Sequence, residues 1–333
     1  MSLPRIAFIS TGGTIGGVTP DPLNILDYGV DGSVLDGSGI VQRIAEAKAV
    51  ADIDVYDAGR LISTAIGFPV VRQLAALCDR ICREKPDITG IVIGHGTSTL
   101  EETAYLLHLC LKVSVPVVIV GSQRPLSALS SDAGMNFIGA LRVAASPEAR
   151  GKGVLVVLND EIHSARDVTK TSTVRLHAFR SPEFGPLGCV DGPHVLFYRD
   201  IVRRAYPRTE FDVSRMESLP RVDIAYSHME ADGVAVRAFV DAGAQGIVIA
   251  GFGPGAPADS EHPAYRYAAE RGVVLLQASR CGTGRAYVPS FDYGGYSCIT
   301  ADNLSPHKAR ILLSLGLAFT SDKARLQEMF DIY

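Results

Sequence analysis

The sequence predicts an α/β protein, with a larger N-terminal doubly wound domain on a parallel sheet and a smaller C-terminal α/β domain. Short apolar runs rich in β-branched residues recur along the chain. Between them lie longer segments whose apolar residues are three and four positions apart, as in amphipathic helices. The short runs are too apolar for strands with one face in water, so they indicate a parallel sheet covered by helices on both faces.

The predicted elements divide the chain into three parts: a catalytic domain over residues 1–190, a linker over 191–220 and a second domain over 221–333. The linker is richer in arginine, proline and charge, and its aromatic residues follow no clear period. In the first domain the strands are Ile6–Ile9, Val55–Tyr56, Gly90–Ile93, Pro116–Val120 and Gly153–Leu158, and the helices are Phe68–Arg83, Ser98–Lys112 and Ala133–Ala145. In the second, the strands are Val222–Ala225, Gly246–Ala250 and Val273–Gln277, and the helices are Ala231–Ala242, His262–Arg271 and Ser305–Leu317.

Composition excludes several classes of partner. The 333 residues carry a formal net charge of −4 without a long run of one sign, so nucleic acid and anionic membrane surfaces are poor partners. The apolar runs are far shorter than the ~20 residues of a membrane span. The N-terminus enters a strand without the features of a secretory signal, which predicts a cytoplasmic protein. The six cysteines are scattered, so reduced packing residues are expected rather than a disulfide framework or a zinc site.

A glycine-rich turn, Ser10–Gly17, follows the first predicted strand. A nucleotide-binding or hydride-transfer protein would use such a turn to hold phosphate, but neither the G-x-G-x-x-G spacing nor the Walker Gly-Lys-Ser/Thr is present. Two threonines among four glycines indicate instead a hydroxyl that a substrate approaches closely. A purely structural turn is the alternative.

Two further loops carry possible chemistry. In Gly94–Thr103, Thr97 or Ser98 can cap the following helix, which explains only part of a cluster of three hydroxyls; His95 is interpreted as structural. In Arg166–Thr171, a lysine is usually a solvated surface charge. A desolvated lysine beside a threonine, however, can titrate low enough to accept a hydroxyl proton. Two strand-end loops of the second domain, Gly251–Gly255 and Ala278–Gly284, have little chemical content of their own.

These segments, in this order and spacing, resemble the bacterial L-asparaginase/glutaminase family. The resemblance covers essentially the whole chain and implies an amidohydrolase that releases ammonia; no cofactor or metal is expected. It also implies a homotetramer of intimate dimers, or a dimer, with active sites shared between subunits. The residues that carry it are Thr11–Ile15, His95–Thr97, Thr99–Ala104, Arg166–Thr171, Gly185–Gly188, Gly246–Val248, Ser279–Arg280 and Leu304–Arg310.

The resemblance also assigns roles to individual residues. It implies that Thr14 is the nucleophile and that Tyr28, in a mobile segment closing over the site, helps to activate it. It pairs Thr97 with Lys170 and assigns Ser63 to the substrate carboxylate. In the implied mechanism Thr14 attacks the amide carbon, an acyl-enzyme forms, and water releases the acid.

Three positions depart from the family pattern. Ser98 stands where the family has an aspartate that pairs with the substrate's α-ammonium, and Ser290 where a neighbouring subunit lends a glutamate, although Asp292 lies two residues away. Pro254 replaces an asparagine of a glycine-rich turn. Because a buried cation without its counter-charge costs several kcal/mol, a substrate without a free α-ammonium is one hypothesis. A non-catalytic or amidotransferase-associated relative is another.

Overall fold

The computed structural model describes residues 2–26, 32–287 and 294–333. Within these ranges the chain folds as two compact units, Met1–Arg215 and Met216–Tyr333. Each has its own sheet and its own cluster of buried apolar side chains.

The first unit is built on a mixed sheet whose strand order is β12-β11-β8-β7-β6-β5-β1-β4. The five strands from β4 to β7 are parallel, and the three beyond β7 pair antiparallel. Two small ribbons, β2–β3 and β9–β10, lie outside it. The strands are β1 Arg5–Ser10, β2 Gly17–Val18, β3 Ser33–Val34, β4 Asp52–Asp57, β5 Gly90–Gly94, β6 Val117–Val120, β7 Val154–Leu158, β8 Glu161–Ser164, β9 Thr169–Lys170, β10 Phe179–Arg180, β11 Gly188–Asp191 and β12 His194–Phe197.

Strand burial follows position in the sheet. Every residue of β5, β6 and β7 is buried, whereas the edge strand β4 is only half-buried. Continuous apolar runs are therefore found in the strands that helices cover on both faces. The helices of this unit are α1 Gly37–Arg43, α2 Phe68–Glu84, α3 Leu100–Cys110 and α4 Ala133–Ala145.

The second unit has a parallel sheet of order β13-β14-β15-β16, with helices around it. The central strands β14 and β15 are buried throughout, and residues of α5 and α6 contribute to their core. The strands are β13 Val222–Tyr226, β14 Gly246–Gly251, β15 Val274–Ser279 and β16 Ile299–Thr300, and the helices are α5 Val234–Asp241, α6 His262–Glu270, α7 Pro306–Leu317 and α8 Lys323–Ile332.

The predicted α/β class is confirmed: a large, mainly parallel sheet precedes a smaller α/β unit. All eight strands and six helices expected from the sequence are present, with ends shifted by a few residues. The antiparallel edge was not expected, and β12 lies inside the segment 191–220 predicted as a linker. The six cysteines are free thiols, and five of them are buried or half-buried as expected of packing residues. Cys281 is exposed, so the prediction of a packing role was wrong for this residue. In the described part of the chain no helix is long and apolar enough to cross a bilayer.

Candidate active site

The site lies where the parallel strands of the first unit end. Neighbouring strands β4, β1, β5 and β6 point their carboxyl ends to the same edge of the sheet, the edge at which open α/β sheets bind ligands. The loops after β1 and β5 are joined at Thr11, whose N–H and Oγ1–H both donate to the Gly94 carbonyl, at 3.0 and 2.9 Å. These two hydrogen bonds hold the starts of the two glycine-rich motifs together.

Backbone meets backbone where these loops touch. A Cβ on Gly13 would lie 2.5 Å from both the N and the Cα of Gly96, and Gly13 has a φ of +86°. The position therefore excludes a side chain on steric grounds and on grounds of backbone conformation. Because the loops are this close, Thr14 on one and Thr97 on the other border a common cavity.

The loop after β4 is the third component of the site. Leu61 N–H donates to the Thr11 carbonyl at 2.8 Å. Ser63, which is only 4% exposed, lies against Gly96, since a Cβ there would be 2.8 Å from its Oγ. Ser63 Oγ accepts the Ser98 N–H at 3.2 Å, and the Ser63 carbonyl accepts the Thr99 hydroxyl at 2.7 Å. These contacts hold the loop after β4 against the start of α3.

Neither Thr97 nor Ser98 caps α3, so this expectation was wrong. The helix begins at Leu100 with Thr99 as N-cap, and the Thr99 side chain makes no capping bond because it is turned to Ser63. Ser98 is exposed and faces the cavity. The Thr97 hydroxyl is left to make a different contact.

Thr97 is paired with Lys170. The Lys170 Nζ lies 2.7 Å from Thr97 Oγ1, the contact expected from the sequence, and the lysine is half-buried in the short strand β9. The backbone N–H of Lys170 donates to Glu101 Oε1 at 3.0 Å, which ties β9 to the first turn of α3. Partial burial lowers the pKa of Lys170, and the negative charge of Glu101 opposes this. The arrangement places an amine of increased acidity against a threonine hydroxyl.

The cavity between these loops has a volume of about 550 Å³. The structure brings five of the predicted site residues to it, namely Thr14, Ser63, Thr97, Ser98 and Lys170. Thr14 is half-buried and opens a short 3₁₀ turn, Thr14–Gly16. The predicted residues Tyr28 and Ser290, with the alternative Asp292, lie outside the described residues, and Pro254 lies in the second unit after β14.

Other cavity residues were not anticipated from the sequence. Arg60 follows β4, Gln123 follows β6, and the apolar Leu26, Ile62 and Val174 line the wall. The rule that sites form at strand ends would have found Gln123, because it lies three residues beyond a strand that was predicted. It could have drawn attention to Arg60 for the same reason.

Two alternative chemistries find no support in the described ranges. No group of three or more His, Cys, Asp or Glu residues there could hold a metal ion. His95 is fully buried and its Nδ1 lies 2.7 Å from the Gly96 carbonyl, which it meets as a donor. Burial lowers its pKa to about 4, so His95 is neutral at physiological pH and serves to hold the loop.

Two family models match the chain. "Asparaginase, N-terminal" covers residues 5–203 and "Glutaminase/Asparaginase C-terminal domain" covers 221–330. The chain is 38% identical to L-asparaginase 2 of Bacillus subtilis, over 99% of this chain and 87% of that protein. It is 36% identical to the glutaminase-asparaginase of Pseudomonas fluorescens biotype A, over 98% and 90%.

A solved structure is similar throughout. The crystal structure of a probable cytoplasmic L-asparaginase from Campylobacter jejuni superposes with a TM-score of 0.94 at 36% identity, covering 99% of this chain and all of that one. The matched region includes residues of both units.

Proposed function

The chain belongs to the asparaginase/glutaminase family and is therefore a hydrolase that converts amides to carboxylic acids and ammonia; we propose that it does so with Thr14 as nucleophile. The observation that carries this proposal is the 2.7 Å contact between Lys170 Nζ and Thr97 Oγ1, on the cavity that Thr14 also lines. A threonine hydroxyl is a weak nucleophile until a neighbouring base accepts its proton. Thr14 borders the same cavity as the Thr97 hydroxyl and the Lys170 amine.

The reaction has two steps. In acylation, Thr14 Oγ1 attacks the amide carbon, and its proton passes to the nitrogen, which leaves as ammonia. Tyr28, which lies outside the described residues, is proposed to assist this transfer because the family resemblance assigns that role to it. In deacylation, water attacks the ester and returns the proton to Thr14 as the acid departs. The Thr97–Lys170 pair is the proposed acceptor for protons in transit, because a neutral lysine can take the proton of a hydroxyl.

Ser63 is proposed to bind the substrate carboxylate. Its Oγ accepts one hydrogen bond, from the Ser98 N–H, so its own O–H can donate to an anion. Ser63 is buried against Gly96, and this packing restricts the position of its hydroxyl.

Replacing the nucleophile tests the proposal. Thr14→Ala should abolish ammonia release from every amide that the wild-type enzyme hydrolyses, whereas Thr14→Ser should retain part of the rate because it keeps an attacking oxygen. Melting temperatures should stay close to wild type, since a half-buried loop hydroxyl contributes little to stability. An alanine variant that kept more than about a tenth of wild-type kcat, a loss below ~1.4 kcal/mol, would show that Thr14 is not the nucleophile.

A second candidate is an amidase of the same family whose substrate lacks a free α-ammonium. Ser98 supports it, because this exposed, cavity-lining residue carries no charge to pair with an ammonium group. The substrate would then be an N-substituted or deaminated amide acid.

Ser98→Asp separates the two candidates. A charge-assisted hydrogen bond is worth ~1.5–3 kcal/mol, so the new carboxylate should raise kcat/KM for L-asparagine by roughly one to two decades. For succinamate, which has no ammonium group, kcat/KM should stay the same or fall. Ammonia assays on both proteins measure this. Efficient turnover of L-asparagine by the wild type, together with impairment by Ser98→Asp, would favour the ordinary asparaginase activity.

Assembly and location follow by analogy. A homotetramer with active sites shared between subunits is proposed from the family resemblance. A cytoplasmic location is proposed because the Campylobacter jejuni relative is described as a probable cytoplasmic L-asparaginase.

A further inference from the structure

The charge of the cavity is uneven. Among the lining residues that the structure describes there are two cations, Arg60 and Lys170, and no carboxylate. A cavity of this kind attracts an anionic ligand and repels a cationic one. The two cations are not equally free to act on a ligand.

Lys170 is already engaged. Its Nζ contacts Thr97 Oγ1 at 2.7 Å, and burial lowers its pKa. A strongly held substrate anion would favour the charged form and so remove a base from the site. The remaining cation among the described lining residues is Arg60.

The backbone of Arg60 is packed against a neighbouring loop, whereas its side chain is exposed. Its carbonyl carbon packs on Gly12, since a Cβ there would lie 3.1 Å from it. The backbone of Arg60 is therefore held against Gly12, which is two residues before Thr14 in the neighbouring loop. The side chain is 59% exposed, and its Nη2 contacts Asp36 Oδ2 at 3.1 Å. An exposed ion pair of this kind contributes little to stability, so the guanidinium can exchange this partner for another.

Asp36 does not depend on Arg60. Its Oδ1 accepts the Gly39 N–H at 2.7 Å and caps α1. When Arg60 turns away, Asp36 keeps a hydrogen-bonded position at a helix N-terminus, where a negative charge is favourable. When Arg60 is released, the Asp36 carboxylate therefore still has a hydrogen-bond partner.

Part of the exposed cavity wall is apolar, and the exposed polar residues Ser33, Ser98 and Thr173 carry no charge. Leu26, Ile62 and Val174 line the cavity with 70%, 76% and 52% of their surface open. An ammonium group placed against them would lose water and gain no hydrogen bond. An apolar substituent at this place would not incur this desolvation cost.

We propose that Arg60 joins Ser63 in binding the carboxylate at the uncleaved end of the substrate, and that the substrate is an amide of an acid that is anionic there and carries no compensating positive charge. The planar guanidinium suits a bidentate contact with a carboxylate. This inference rests on the proposed function, and it assigns a specificity-determining residue and a substrate class to the same site.

The test compares two amides of similar shape. Succinamate is anionic at its uncleaved end and succinamide is neutral there. Arg60→Gln should raise KM for succinamate by roughly 10- to 100-fold, the range of a charge-assisted hydrogen bond. Its kcat, and both constants for succinamide, should change by less than about threefold, because Arg60 does not touch the reacting amide. The KM of Arg60→Lys for succinamate should lie between the values of the wild type and Arg60→Gln, since lysine keeps the charge and loses the bidentate geometry.

A matched control removes a similar arginine elsewhere. Arg215 is 86% exposed and pairs with Asp212 at 3.1 Å, away from the cavity. Arg215→Gln should leave both amides unaffected. A change equal to that of Arg60→Gln would show that the effect is one of net charge and overturn the proposal.

Asp36→Asn separates substrate binding from a purely structural ion pair. The asparagine oxygen still caps α1, while Arg60 is released to the cavity. The proposal therefore expects a lower KM for succinamate in Asp36→Asn and a higher one in Arg60→Gln. If Arg60 only stabilises the loop through Asp36, both variants should change the kinetics in the same direction.

Binding of succinate gives a readout that does not need turnover. Calorimetry should show affinity for this dicarboxylate in the wild type and a loss of about tenfold or more in Arg60→Gln. If Thr14→Ala remained active, the nucleophile would be wrong while the Arg60 comparison still decided the inference. Unchanged succinate affinity in Arg60→Gln, or an equal loss of kcat/KM for succinamate and succinamide, would overturn the inference and leave the proposed function standing.

Discussion

At the scale of the residue, the pKa of Lys170 depends on burial and on the charge of Glu101. Burial lowers the pKa of Lys170, and Glu101 partly restores it. If neutral Lys170 is the working base, kcat/KM rises with pH as the lysine deprotonates. Glu101→Gln removes the opposing charge but keeps an oxygen to accept the Lys170 N–H. The pKa should fall further, and the rise in kcat/KM should move to lower pH.

The pH profile of the variants checks this assignment. Lys170→Arg should lose this rise together with most activity, because a guanidinium does not titrate in the range. Glu102→Gln removes a charge from the same helical turn, but Glu102 is not among the groups that act on Lys170, so its profile should match wild type. A profile of Glu101→Gln displaced to higher pH would contradict the role of Lys170. By linkage, folding stability should also rise with pH between the lowered pKa of Lys170 and that of an ordinary lysine, where the unfolded chain binds more protons.

At the scale of the element, two loops on adjacent strands share a contact that admits no side chain. Gly13→Ala would place its Cβ 2.5 Å from the Gly96 backbone at a φ of +86°. A backbone with φ +86° and ψ 179° is essentially restricted to glycine and costs other residues ~1–3 kcal/mol, and the contact forces the loops apart. We expect a lower melting temperature and a loss of ammonia release larger than stability alone explains. Gly134→Ala is the control, because a Cβ on this residue of α4 meets no atom within 4 Å. It should gain up to ~1 kcal/mol of helix stability and keep its activity; equal behaviour of the two variants would mean that the contact is unimportant.

At the scale of the whole molecule, the sequence predicts the centre of each sheet better than its edge. Strands β5, β6 and β7 are continuous apolar runs because helices cover both faces, and such runs are readily recognised. Strands β8, β11 and β12 are short and mixed in polarity, as in Glu161–Ser164. They form because partner strands lie beside them, which local sequence does not show.

The candidate site was predictable to the same limited extent. Thr14, Thr97 and Lys170 stand in motifs that the resemblance marks, and their convergence on one cavity follows from strand order. Arg60 was missed because a lone arginine after an edge strand looks like a solvated charge. Only the packing of its loop on Gly12 and its place on the cavity wall distinguish it.

The two cations that line the described part of the cavity, Arg60 and Lys170, also have a consequence for what remains after the reaction. Hydrolysis turns a neutral amide into a second carboxylate, so the acid leaves with one more negative charge than the substrate brought in. If Lys170 is the base, its uptake of a proton adds to the attraction. If Arg60 also binds the substrate as proposed, ammonia diffuses away while the acid is held by the same groups that admitted its precursor. We expect such an enzyme to slow as its own acid accumulates, and to work best where another reaction consumes that acid.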